Sequence, residues 1–104
     1  MAVRNIYTSR DERLMWEHLF ESLQVGDNAA YQPKGLTLWK KFEVTQKTNK
    51  TASSLATHFR KVMYDHIEDA NLTVEQQLYI VNQLNIPLSK RQQRVYTFLI
   101  LHYF

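Results

Sequence analysis

Thr51-Ala52-Ser53-Ser54-Leu55-Ala56-Thr57-His58-Phe59-Arg60-Lys61-Val62-Met63-Tyr64 is the stretch on which the fold turns. Leu55, Phe59, Val62 and Met63 fall at i, i+4, i+7 and i+8, the spacing of one buried helical stripe. Thr51 stands where a helix start wants a capping hydroxyl. At about 100° per residue, Ser53, Thr57, Arg60, Lys61 and Tyr64 occupy the opposite side, with Ser54 at its edge. That side is polar and basic, and it meets no carboxylate before Asp65.

The same periodicity extends outward in both directions. Upstream, Ser9 with Glu12 matches a capping box, and Tyr7 is expected to pack back over the helix start. Met15, Trp16, Leu19, Phe20 and Leu23 then form one apolar face, which Gly26-Asp27-Asn28 should end. A shorter helix over about 36–44 follows Pro33-Lys34-Gly35, with Leu38, Trp39 and Phe42 inward and Lys40 and Lys41 outward. Downstream of the quoted stretch, Thr73 with Gln76 opens a fourth helix carrying Val74, Leu78, Val81 and Leu84. Ser89 with Gln92 opens a fifth after the Ile86-Pro87 break. Two glycines, two prolines and few alternating β-branched runs favour helices over sheet. The expectation is an all-α fold in a single domain over 1–104. It comprises a three-helix core at about 7–66 and an extension of one or two helices at about 72–104.

Composition narrows the function classes. A chain of 104 residues with 44% hydrophobic and 22% charged residues has the makeup of one globular core. Cysteine is absent, which removes disulfides, thiolate zinc sites and thiol catalysis, and fits a reducing compartment. The first residues lack the apolar centre of a signal peptide, and no apolar run approaches a membrane span. A soluble intracellular protein without a membrane partner is expected. His18, His58, His66 and His102 do not form a His-Glu-x-x-His motif. No Gly-rich phosphate loop, nucleophile elbow or paired-carboxylate cleft is visible. Neither an enzyme, a metal nor a cofactor is expected.

Charge is unevenly spread. The formal net charge is +3, yet Asn28 to Tyr64 holds seven basic side chains and one acid, Glu43. Such a concentrated face attracts polyanions or acidic proteins more strongly than the total implies. The acidic stretch Asp65, Glu68, Asp69 and Glu75 either keeps its side soluble or complements the basic face of another copy. At the other end, Val95 to Phe104 is apolar around nearly the whole helical circumference. Val95, Tyr96, Leu99 and Tyr103 can pack on the domain, leaving Phe98, Leu101 and Phe104 for a partner or a second copy. The alternatives are a last helix sunk deep in the core, or a final strand.

Several motifs together carry a resemblance. The Tyr7-Thr8-Ser9-Arg10-Asp11-Glu12 entry, the aromatic-rich first helix, Gly35-Leu36-Thr37-Leu38-Trp39-Lys40-Lys41-Phe42 and Ser54-Leu55-Ala56-Thr57-His58-Phe59-Arg60-Lys61 resemble a Myb-like domain. More narrowly, about Tyr7 to Leu88 resembles the SPK domain, a Myb-related module found beside SET, PHD and kinase domains. A weaker likeness, through Leu38-Trp39-Lys40 and the Leu55/Phe59 spacing, is to the Myb-like domains of telomeric repressor–activator proteins. The resemblance implies a nuclear setting and a helix-turn-helix variant whose third helix lies in the major groove of double-stranded DNA. Ser53, Ser54, Thr57, Arg60 and Lys61 would then face base edges, Arg60 being suited to guanine. Lys34, Lys40, Lys41, Lys47 and Lys50 would contact phosphates. Free backbone N–H groups near Thr51 would add another phosphate contact. The domain would act alone or as a homodimer. The rival implication is an interaction domain of the same fold, docking nuclear or chromatin proteins.

Overall fold

The computed structural model describes residues 6–103. Phe104 and the side chain of Tyr103, both assigned roles above, lie outside what it describes. The fold is all-α, with no strand among the described residues: α1 Ser9–Gln24, α2 Thr37–Glu43, α3 Ala52–His58, α4 Val74–Leu84 and α5 Lys90–Tyr103. A 3-10 turn, Asn28–Tyr31, follows α1, and α3 runs on through Phe59–Met63 and Tyr64–Asp69 in other helical forms.

Local chemistry explains where these helices start. The capping box of α1 forms one residue earlier than expected. Thr8 is extended, its hydroxyl accepts the Asp11 N–H at 3.0 Å, and the Asp11 carboxylate accepts the Thr8 N–H at 3.0 Å. Glu12 is thereby released for another partner. Thr73 and Gln76 cap α4 reciprocally, and Ser89 and Gln92 exchange the same pair of bonds at the start of α5. Gly26 takes a left-handed φ of 74° just beyond α1, a conformation that costs glycine least.

The core gathers on Phe59. Its ring lies 5.1 Å from Trp16 and 5.1 Å from Trp39, so the first three helices share one aromatic centre. The Trp39 indole satisfies its N–H by donating to the Pro33 carbonyl at 2.8 Å. Leu19, Leu38, Leu55 and Phe42 belong to the same buried cluster.

The quoted stretch is not one straight α-helix. Phe59–Met63 is a π-helical turn, closed by the Tyr64 N–H donating to the Phe59 carbonyl. Wider turns advance each residue through a smaller angle. Phe59 and Met63 therefore stay buried while Val62, expected inside, turns outward and is 48% exposed. The chain then tightens into the 3-10 turn Tyr64–Asp69, broken at His66, whose backbone is not helical.

The two last helices are held by buried polar contacts. On α4 the buried side chains are Gln77, Ile80 and Val81, whereas Val74, Leu78 and Leu84 are only half-buried. Gln77 donates to the carbonyls of Ala70 and Leu72 at 2.9 and 3.1 Å and accepts from the Tyr96 hydroxyl at 2.7 Å. Gln92 of α5 donates to Glu68 at 2.6 Å and to the Asp65 carbonyl at 3.0 Å. The apolar tail is thus a helix and not a strand. Its inner face is Gln92, Tyr96 and Leu99, and Phe98 and Leu101 remain 54% and 74% exposed.

Candidate nucleic-acid interface

The outward flank of α3 stays open. Ser53, Arg60 and Lys61 are exposed, and Ser54 and Thr57 are half-buried. Neither α4 nor α5 packs extensively against α3. A hollow of about 450 Å³ runs along this flank, lined by Ser53, Ser54, Thr57, His58, Lys61 and Val62 and also by Tyr7 and Thr51. Lys61 lines it from within the π turn. Arg60, though exposed, does not line it.

Tyr7 does more than cover the start of α1. Its ring stacks on His58 with centroids 3.7 Å apart and planes 3° from parallel, and its hydroxyl shares a 2.5 Å hydrogen bond with the Ser54 hydroxyl. Burial pushes the Tyr7 phenol above its usual value, against the opposing effect of the Ser54 bond. His58 in turn meets the Glu12 carboxylate at 2.7 Å, the group freed by the shifted cap. Lys50 places its ammonium 5.1 Å from the centre of the Tyr7 ring. The segment before α1 therefore forms one wall of the hollow and orients two side chains of α3.

The lysines do not form a single stripe. Lys47 and Lys50 lie on the loop beside α1, where the Arg10 guanidinium reaches the Lys47 carbonyl at 3.4 Å. Lys41 pairs with Asp27 at 2.8 Å, and hydrogen bonds from Lys41 and the Ala29 N–H hold the Asp27 carboxyl below its usual value. Lys34 sits 4.1 Å over the Tyr64 ring. Among the described residues, no ion pair engages Lys40, Arg60 or Lys61. Two of the backbone N–H groups at the start of α3 are already occupied. The Ala52 N–H donates to Glu43 at 3.1 Å and the Ser54 N–H to Thr51 at 3.2 Å.

The chain matches no protein-family model, and no curated protein is similar enough to count as a relative.

Two residues of the surface around α3 were not legible in the sequence as part of it. Arg10 joins the basic loop across 37 positions of chain, and Val62 enters the hollow through a change of helical pitch. The His58 position did carry a signal, since it follows Ser54 by four residues and so shares its face.

A second cluster lies away from this flank. Donor atoms of His66, Glu68 and Asp69 fall within 4.8 Å of one another. The Glu68 carboxylate is committed to Arg91 at 2.8 Å and to Gln92 at 2.6 Å. Burial would raise its proton affinity, but those hydrogen bonds outweigh burial and hold it below the usual range. Its role is to fasten α5 to the 64–69 turn. No helix among the described residues is long and apolar enough to cross a membrane.

Proposed function

We infer that this chain is a nuclear, Myb-like helical domain of the SPK type that binds double-stranded DNA through its third helix. One observation carries the reading. The flank of α3 that bears Ser53, Thr57, Arg60 and Lys61 is open to solvent, with further cations at Lys47, Lys50 and Arg10 beside it. A helix fits the major groove, where Lys61 and the hydroxyls of Ser53 and Thr57 would meet base edges. The two cations of the 45–50 loop, with Lys40 of α2, would meet phosphates and release counterions. Lys41 and Lys34 contribute less, since each already has a partner in the chain.

The test is binding to random-sequence duplex DNA across a range of salt. Three phosphate contacts give a log–log slope of roughly −3. The Arg60→Glu/Lys61→Glu variant should lose binding and keep its fold, both residues being exposed. Absence of binding at low salt, or unchanged binding by the variant, refutes the reading.

The rival reading, a partner-binding or dimerising domain of a chromatin or nuclear complex, is favoured by the exposure of Phe98 and Leu101 on α5. If two copies pair through that face, light scattering finds a dimer that Leu101→Glu converts to a monomer. A monomer in both cases removes the self-association claim.

A further inference from the structure

Val62 is out of place for its chemistry. An α-helical continuation of α3 would carry it inward with Leu55 and Phe59. The π turn keeps Phe59 and Met63 in the core and sets Val62 in the same hollow as Thr57 and Lys61. π turns are rare and concentrate at functional sites, because they re-aim side chains without breaking the helix. Here the re-aimed side chain is a compact apolar group, set beside the cation of Lys61 and the hydroxyl of Thr57.

That combination has a counterpart in the major groove. A thymine presents its C5-methyl beside its O4 acceptor, with the N7 acceptor of adenine on the paired base. An apolar side chain suits the methyl, and hydroxyl or ammonium donors suit the acceptors. We propose that Val62 is a specificity-determining residue that contacts the C5-methyl of a thymine, with Lys61 and Thr57 donating to the acceptors beside it. The inference rests on the DNA-reading function above and adds to it a preferred base. On its far side Val62 borders a second hollow that contains Glu12 and Asp69. Their carboxylates repel phosphates, so DNA approaches from the Thr57 side and Val62 marks the edge of the contact.

The experiment compares bases that differ only by this methyl. The full chain is used to select from a random-sequence duplex pool. The enriched site is then remade with deoxyuridine in place of each thymidine in turn. At one position the replacement should weaken binding about fourfold, the worth of a methyl-sized apolar contact. Val62→Ala should bind both forms of the site alike, while Val62→Ile keeps the discrimination. Both variants should melt close to the parent, since the side chain is half-exposed. Equal affinity for every deoxyuridine site, the same loss in Val62→Ala, or an enriched site without thymine overturns the Val62 assignment and leaves DNA reading standing. No enrichment from the pool overturns both, and is the outcome expected of a domain whose apolar groups serve a protein partner.

Discussion

Replacing Tyr96 with Phe isolates the contact that decides which face of α5 is inside. The substitution removes one oxygen and leaves the ring, which is only 3% exposed, so no cavity opens. The lost hydroxyl donates to the Gln77 side-chain oxygen at 2.7 Å. Gln77 cannot turn that oxygen to water, because its nitrogen is held by the carbonyls of Ala70 and Leu72. The cost is therefore that of a buried acceptor left unpaired, about 2 kcal/mol within a usual span of ~1–3 kcal/mol. For a domain of this size that lowers Tm by roughly 10 °C. Urea unfolding should show the loss at unchanged m, as the surface exposed on unfolding is nearly the same. Phe98→Ala, two residues away on the exposed face, should cost no more than about 0.5 kcal/mol. A loss under ~0.5 kcal/mol for Tyr96→Phe, with a larger one for Phe98→Ala, would mean that the helix is docked by its other face.

Acid should destabilise the protein in two stages. Burial holds His18 below its ordinary 6.5, against the hydrogen bond to the Leu38 carbonyl at 3.0 Å, and Glu68 lies below its ordinary 4.5. Both groups bind protons more readily when unfolded, so their contributions are complete above those ordinary values and fade as pH drops through the folded ones. Melting temperature should decline from about pH 6.5 and again below about pH 4.5, with His18→Phe removing the first decline and Glu68→Gln the second. A flat profile between pH 7 and pH 5 would refute the His18 part. In DNA binding, Lys40→Ala should reduce the salt slope by about 0.9, whereas Lys41→Ala should change it less, because Lys41 is already paired with Asp27. Equal reductions would show that the Asp27 pair opens on binding.

How far the sequence could be read depends on the range of the interactions involved. The helices at 9–24, 37–43, 74–84 and 90–103 stand where periodicity and capping residues put them, since both signals act within about four residues. The core residues Trp16, Trp39 and Phe59 were legible for the same reason. The cap of α1 was misplaced by one position because Ser9-x-x-Glu12 and Thr8-x-x-Asp11 are locally equivalent. The choice between them coincides with Glu12 being taken by His58, which is distant in sequence.

By itself, then, the order of residues determined that this protein is helical, where its helices lie, which aromatics meet in the middle, and that positive charge gathers between Asn28 and Tyr64. Tertiary structure decided which of those charges are free, that Tyr7 walls the hollow on α3, and that Val62 leaves the core to line it. The physical reason is that hydrophobic periodicity assumes a constant pitch. Phe59, packed between Trp16 and Trp39, and Met63 both remain in the core, and the helix accommodates them by widening one turn.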